Sequence, residues 1–284
     1  MLEGSGGTFS SILHPTDFSA SSQMAFEHAL KIALANRSRF NIAHVEQDMG
    51  DKPDWREFPH IRETLESWGL LSKDSPRRDV GDQLGVHVKK VERISKKPLE
   101  SIVRFLKTEQ SDLIVLSTEG RDGLPRWLKP SFSEALLRQS LVPTLFVPAG
   151  LGRGFVSHEN GEAYLSRILI ATDNRPNPDV GIDVASGLVK SLRIEAPATE
   201  ALFIGEPAHR PAVHVPEAFR SSFQQMVRPG NPVEEILRRA DEIQADLIVM
   251  ITEGHHGFLD ALRGSTTEQI VRRARCSVLA VPAV

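Results

Sequence analysis

The sequence predicts an α/β protein made of two tandem doubly wound sheets, each of five mainly parallel strands, and three observations carry that reading. One stretch occurs twice: Asp112-Leu113-Ile114-Val115-Leu116 through Leu145-Phe146-Val147-Pro148 returns at an offset of 134 as Asp246-Leu247-Ile248-Val249-Met250 through Leu279-Ala280-Val281-Pro282. Laid side by side without a gap, residues 111–149 and 245–283 are identical at 16 of 39 positions, which marks an internal duplication. Short apolar runs bounded by turn residues alternate with amphipathic segments, as strands buried on both faces of a parallel sheet require. Finally, 284 residues suit two domains of roughly 100–200 residues each.

The elements follow in order. Ser11 to Asp17 reads as a strand that breaks at Pro15 and ends in an acidic residue, and Ser19 to Ser22 offer caps for a helix through Ala35 with Phe26, Ala29, Leu30 and Ala33 at helical spacing. Phe40 to Val45 is the second strand. The next forty residues are polar and rich in proline and glycine, but Ile61, Leu65, Trp68 and Leu71 mark one amphipathic helix among them. Val86 to Ile94 is a lysine-rich strand suited to a sheet edge. Pro98 then fits the first helical position, with Ile102, Val103 and Leu106 facing the sheet.

Residues 8–149 form the first expected domain, 150–164 a linker of turn residues, and 165–284 the second domain. The second restarts at Arg167 to Asp173, matching the strand that ends at Asp17. Val184, Leu188 and Leu192 mark a helix, Ala201 to Ile204 a strand, and Phe223 to Val227 another. Between them Pro207, Pro211 and Pro216 leave the counterpart of the Ile61 helix shortened or missing. Asn231-Pro232-Val233-Glu234 opens a helix, with Asn231 as cap, Pro232 at the first helical position and Glu234 able to bond back to the cap.

Composition excludes several classes. A net charge of −3 with both signs interspersed gives no electrostatic case for nucleic acid or an anionic membrane as partner. No run approaches the roughly 18 apolar residues of a membrane span, and the N-terminus lacks a signal-peptide core, so a cytoplasmic location is expected. The single cysteine, Cys276, allows no disulfide framework and reads as a small apolar residue near the core. His14, His44, His209, His214, His255 and His256 invite a metal reading, but no Cys or His-x-Glu pattern supports one. No P-loop or Gly-x-Ser-x-Gly is present, and nothing specifies catalysis.

These residues resemble the universal stress protein family in its tandem form. The resemblance rests on Ile-Leu-x-Pro-Thr-Asp-Phe-Ser from Ile12, Ile-Leu-Ile-Ala-Thr-Asp from Ile168, Ala-Asp-Leu-Ile-Val-Met from Ala245, a glycine motif, and the closing Val-Leu-Ala-Val-Pro. It implies the adenine nucleotide alpha-hydrolase-like fold, a Rossmann-like doubly wound sheet. It also implies a stress-response role and a site for ATP or another adenine nucleotide, with or without magnesium. Nucleotide-binding members carry glycine, two residues, glycine, nine residues, then glycine and serine or threonine. Here Gly254 and Gly264-Ser265 fit, while Ile251 stands at the first glycine. In the first half Gly120 and Ser131 fit, Ser117 takes the first position, and Pro130, which lacks an amide hydrogen, takes the third.

The resemblance therefore places the better site in the second half, at Ala171, Thr172, Asp173, Ile204, Gly230, Gly254, Gly264, Ser265 and Thr266. A weaker one lies at Pro15, Thr16, Asp17, Val45, Gly120 and Ser131. Glycines let backbone approach phosphate oxygens, and a helix start presents free amides. Against this, Ser265 to Glu268 and Ser131 to Glu134 are capping boxes that any helix would use. Glu119 and Glu253 set a carboxylate before the retained glycines, where it would repel a triphosphate unless magnesium or Arg263 compensates. ATP hydrolysis would need Asp173 or Glu253 as base. In the family the last strand of each unit pairs between subunits, so Thr144–Val147 and Val278–Val281 are expected to join the halves as an intramolecular pseudo-dimer. Homodimerisation of the whole chain is also compatible. The competing reading is an interaction module of the same fold with both nucleotide sites degraded.

Overall fold

The computed structural model describes residues 8–46, 55–56, 58–118, 136, 139–149, 153–253 and 265–283. In the first half β1 (Ser11–Pro15), β2 (Arg39–Glu46), β3 (His87–Ile94), β4 (Leu113–Thr118) and β5 (Thr144–Pro148) alternate with α1 (Ala20–Asn36), α2 (Ile61–Ser67), α3 (Asp79–Asp82) and α4 (Pro98–Glu109). In the second half β6 (Arg167–Thr172), β7 (Ala198–Ile204), β8 (Phe223–Arg228), β9 (Leu247–Glu253) and β10 (Ser277–Ala283) alternate with α5 (Asp179–Ser191), α6 (Pro232–Glu242) and α7 (Thr266–Arg273). The proline-punctuated stretch between β7 and β8 holds only two single 3₁₀ turns, Pro207–His209 and Glu217–Phe219. Three prolines there remove amide donors that a full helix would need.

The strands line up as β3-β2-β1-β4-β5-β10-β9-β6-β7-β8. Every pair within a half is parallel. The halves meet where β5 and β10 pair antiparallel, Phe146 opposite Val278, Leu145 opposite Leu279 and Thr144 opposite Ala280. The two five-stranded sheets are thus continuous, and the expected pairing of Thr144–Val147 with Val278–Val281 is the seam. Both closing strands are apolar and buried; each supplies the other with the ladder partners that an uncovered edge would lack.

Side chains alternate between the faces along each strand, which splits the core into two slabs, each running across both halves. One slab lies under α1, α2 and α5, with Ile12, Val115, Leu145, Leu279, Val249 and Ile170 from the sheet. The other lies under α4, α6 and α7, with Leu13, Ile114, Phe146, Val278 and Ile248. Cys276 belongs to the second slab, and burial pushes its thiol up to about 12, so it is an inert packing residue.

The linker residues 153–163 are folded rather than loose. Val156 bridges Ala163 antiparallel, Arg153 bridges Cys276, and Phe155, Val156 and Leu165 are buried. Helix α6 starts as the sequence predicts, with the Asn231 side chain accepting from the Glu234 amide at 3.3 Å. The Glu234 carboxylate goes to Arg273 at the end of α7, tying two neighbouring helices together.

Candidate functional site

Because all strands within a half run parallel, their C-terminal ends share one rim, and the crossover helices that return from it begin there too. In each half the order of connections reverses beside the first strand: β6 lies between β7 and β9, and β1 between β2 and β4. A crevice at the strand ends forms at such a reversal.

In the second half the described members of the predicted set lie at strand ends and helix starts along this rim. Ala171 and Thr172 end β6, with Thr172 buried and its hydroxyl donating to the Leu202 carbonyl at 3.2 Å. Asp173 follows, exposed, and its carboxylate accepts from the Asn174 amide at 2.7 Å. Ile204 ends the neighbouring β7. Gly230 sits just past β8 at φ +130°, a conformation that favours glycine, and leads into the Asn231 cap. Ser265 caps α7 by accepting from the Glu268 amide at 3.1 Å, and Thr266 is the first helical residue. Gly254 and Gly264 lie outside the described residues.

Ile251, where the glycine motif would begin, is partly buried near the end of β9 and fills space against α5. A methyl group added at Gly181, in the first turns of α5, would lie 2.5 Å from Ile251 Cγ1 and 2.8 Å from its Cδ1. The missing side chain at Gly181 therefore makes room for the extra one at Ile251. Ile251 stands out in the sequence as a departure from the motif, whereas Gly181 is marked there only as a glycine inside a helical pattern.

In the first half the corresponding residues are knitted into polar bonds and covered by rings. Pro15 ends β1, Thr16 follows and donates its amide to the Ala43 carbonyl, and the Asp17 carboxylate accepts from the amide and hydroxyl of Ser19 at 3.1 and 2.6 Å. Val45 lies buried near the end of β2. His14 Nδ1 faces the Val115 carbonyl at 3.0 Å, Nε2 faces Ser22 Oγ at 3.2 Å, and Ser22 Oγ meets Thr16 Oγ1 at 3.0 Å. His14 has no exposure, and burial lowers its pKa to about 4, so the ring is neutral. His44 bonds the Thr16 carbonyl and Glu46. The histidine pair at neighbouring strand ends is thus fully occupied. Among the described residues no group of three His, Cys, Asp or Glu could hold a metal ion.

Phe18, at φ +63°, lays its ring 4.5 Å from that of His44 and 4.9 Å from Trp55. Phe58, almost fully buried, touches Phe18, Trp55 and Phe26 edge-on, and the Lys90 ammonium stands 5.1 Å from the Trp55 ring. These aromatic residues cover the ends of β1 and β2. Sequence periodicity missed Trp55 and Phe58 because they sit in the polar, proline-rich stretch outside any helix. Gly120 and Ser131 lie outside the described residues.

The family model for the universal stress protein family matches residues 8–148 and 190–282, most of both halves. The chain belongs to the universal stress protein family. A universal stress protein of Methanocaldococcus jannaschii is 29% identical over 147 residues, covering 43% of this chain and 85% of that protein, as one half should. Among solved structures, a universal stress protein of Archaeoglobus fulgidus superposes with a TM-score of 0.62 at 18% identity, over 96% of this chain and 98% of that one. A protein of unknown function from Pseudomonas aeruginosa gives 0.61 at 19% identity, over 97% and 93%. Those likenesses establish that the tandem architecture is shared. Among the described residues no helix is long and apolar enough to cross a membrane.

Proposed function

We propose that this tandem universal stress protein acts in the cytoplasm as a nucleotide-responsive regulator or protective factor, and that it takes ATP or another adenine nucleotide only in its second half. The observation that carries the reading is the contrast between rims. Asp173 is exposed at the end of β6, next to β7 in the sheet, whereas Phe18, Trp55 and Phe58 cover the equivalent ends of β1 and β2. On this reading Asp173 contacts the ribose, the backbone at Ile204 meets the base, and Gly254, Gly264, Ser265 and Thr266 meet the phosphates, with magnesium offsetting Glu253. The chain contributes binding and no dedicated catalytic group.

A second reading has its own observation. Ile251 packed on Gly181 occupies volume that the motif's first glycine would leave open, which favours an interaction module whose nucleotide sites are both degraded and which acts through protein contacts, including a homodimer. Calorimetry with magnesium and millimolar ATP separates the two. Heat of binding that Gly264→Asp removes is expected on the first; no heat and no thermal shift would reject it.

A further inference from the structure

The linker is fastened to the first half by a histidine whose protonation state the hydrogen bonds dictate. His28, on α1, has no exposure. Its Nδ1 lies 2.7 Å from the Met24 carbonyl, which only accepts, so Nδ1 carries the proton. Its Nε2 receives the backbone amides of Phe155 at 2.9 Å and Val156 at 3.2 Å, so Nε2 must present a lone pair. The Phe155 ring stands edge-on to the imidazole at 4.6 Å. Gly154 passes so close that an added methyl would lie 2.4 Å from His28 Cε1.

The rest of the strap is held at both ends. The Arg153 amide donates to the Arg275 carbonyl of the second half. Further along, His158 Nδ1 meets the Glu27 carboxylate at 2.5 Å, and Trp68 Nε1 donates to the His158 carbonyl at 3.0 Å. Residues 153–163 thus span the two halves on the α1 side of the sheet.

We propose that His28 makes this strap an acid-released latch, which opens at residues 154–156 when the imidazole is protonated and so loosens the tie between the halves. A proton on Nε2 would turn the one acceptor of two amides into a third donor, at a ring with no exposure to solvent. Among the described residues the titratable groups next to His28 are Glu27 and Lys31 on its own helix and His158 and Glu162 on the strap. Lys31 feels the Glu162 carboxylate. Burial holds the His28 pKa down to about 4 against an ordinary 6.5. Linkage then makes the open form gain about tenfold per pH unit between pH 6.5 and 4.

The test is native-state amide exchange followed by NMR on the full chain, corrected for intrinsic rates. Protection at Phe155 and Val156 should fall about tenfold per unit below pH 6.5, while amides of Leu145 and Leu279 at the seam stay protected. His28→Gln should abolish the slope and His158→Asn should keep it. The latch is refuted if protection at Phe155 and Val156 is independent of pH, falls together with the seam, or keeps its slope in His28→Gln. Should that variant not fold, imidazole nitrogen shifts of the unmutated chain decide: a proton on Nε2 above pH 6.5 overturns the proposal.

Discussion

The two halves began as copies, yet their rims have been filled in different ways. Aligning the strands that end in Asp17 and Asp173 sets His14 against Ile170 and Ser22 against Pro178. The first half keeps a buried hydrogen-bonded chain there and roofs it with Phe18, Trp55 and Phe58. The second half has only apolar residue and proline at those places, and its segment between β7 and β8 lies alongside, with the Asn174 side chain donating to the His209 carbonyl and the His214 amide donating to Asp179. What differs is the connection after the second strand: a long one supplies the Trp55 and Phe58 rings, while a short one meets Asn174 and Asp179 through its backbone. Duplication preserved the sheet, whose strands are constrained by pairing on both sides, and released the connections.

The largest expected difference between the rims is energetic. Phe58 is almost fully buried among four rings, so Phe58→Ala should cost about 3–5 kcal/mol, read as a lowered urea midpoint at unchanged slope. A loss under about 1 kcal/mol would mean that the cover is peripheral and that the first rim is no more closed than the second.

Next in size is the pair that fills the second rim. Gly181→Ala forces its methyl onto Ile251, a strain of about 1–3 kcal/mol, partly offset by about 1 kcal/mol of helix preference. With Ile251→Ala present the clash disappears and only the helix gain remains, so the double-mutant cycle should show a coupling equal to that strain, about 1–3 kcal/mol. Additive effects would show that Ile251 does not take up the space next to α5. The same Ile251→Ala chain sharpens the functional comparison, since it reopens that volume without touching Asp173 or Ser265.

The fold was readable because the duplication tests itself: Asp112 and Asp246 lead into equivalent strands, and both carboxylates bond backbone amides at the start of the neighbouring parallel strand, Asp112 to Ser10 and Ser11, Asp246 to Ser166 and Arg167. The seam was readable too, because Leu145 and Leu279 are apolar where an edge ought not to be. The site was less so. Local chemistry announced the Ser265 and Asn231 caps, and both bonds form. Trp55, Phe58 and His28 act on residues far along the chain, and no periodicity encodes such partners. Gly181 is intelligible only beside Ile251, seventy positions away.

The smallest expected effect bears most directly on what Ser265 is for. Its side chain accepts the Glu268 amide at 3.1 Å, a bond that any helix cap would make. Ser265→Ala should then cost about 1 kcal/mol without ligand, a shift of roughly 2–4 °C in Tm for a chain of this size. The informative measurement repeats the melt with magnesium and saturating ATP. If the hydroxyl only caps, wild type and variant move up together and their separation stays constant. If it also meets phosphate, the variant gains less, because stabilisation by a ligand grows with the logarithm of its affinity; a tenfold loss adds about 1.4 kcal/mol to the gap. Ser131 opens the equivalent box of the first half, and because Pro130 precedes it there, the same substitution should leave any ATP response unchanged.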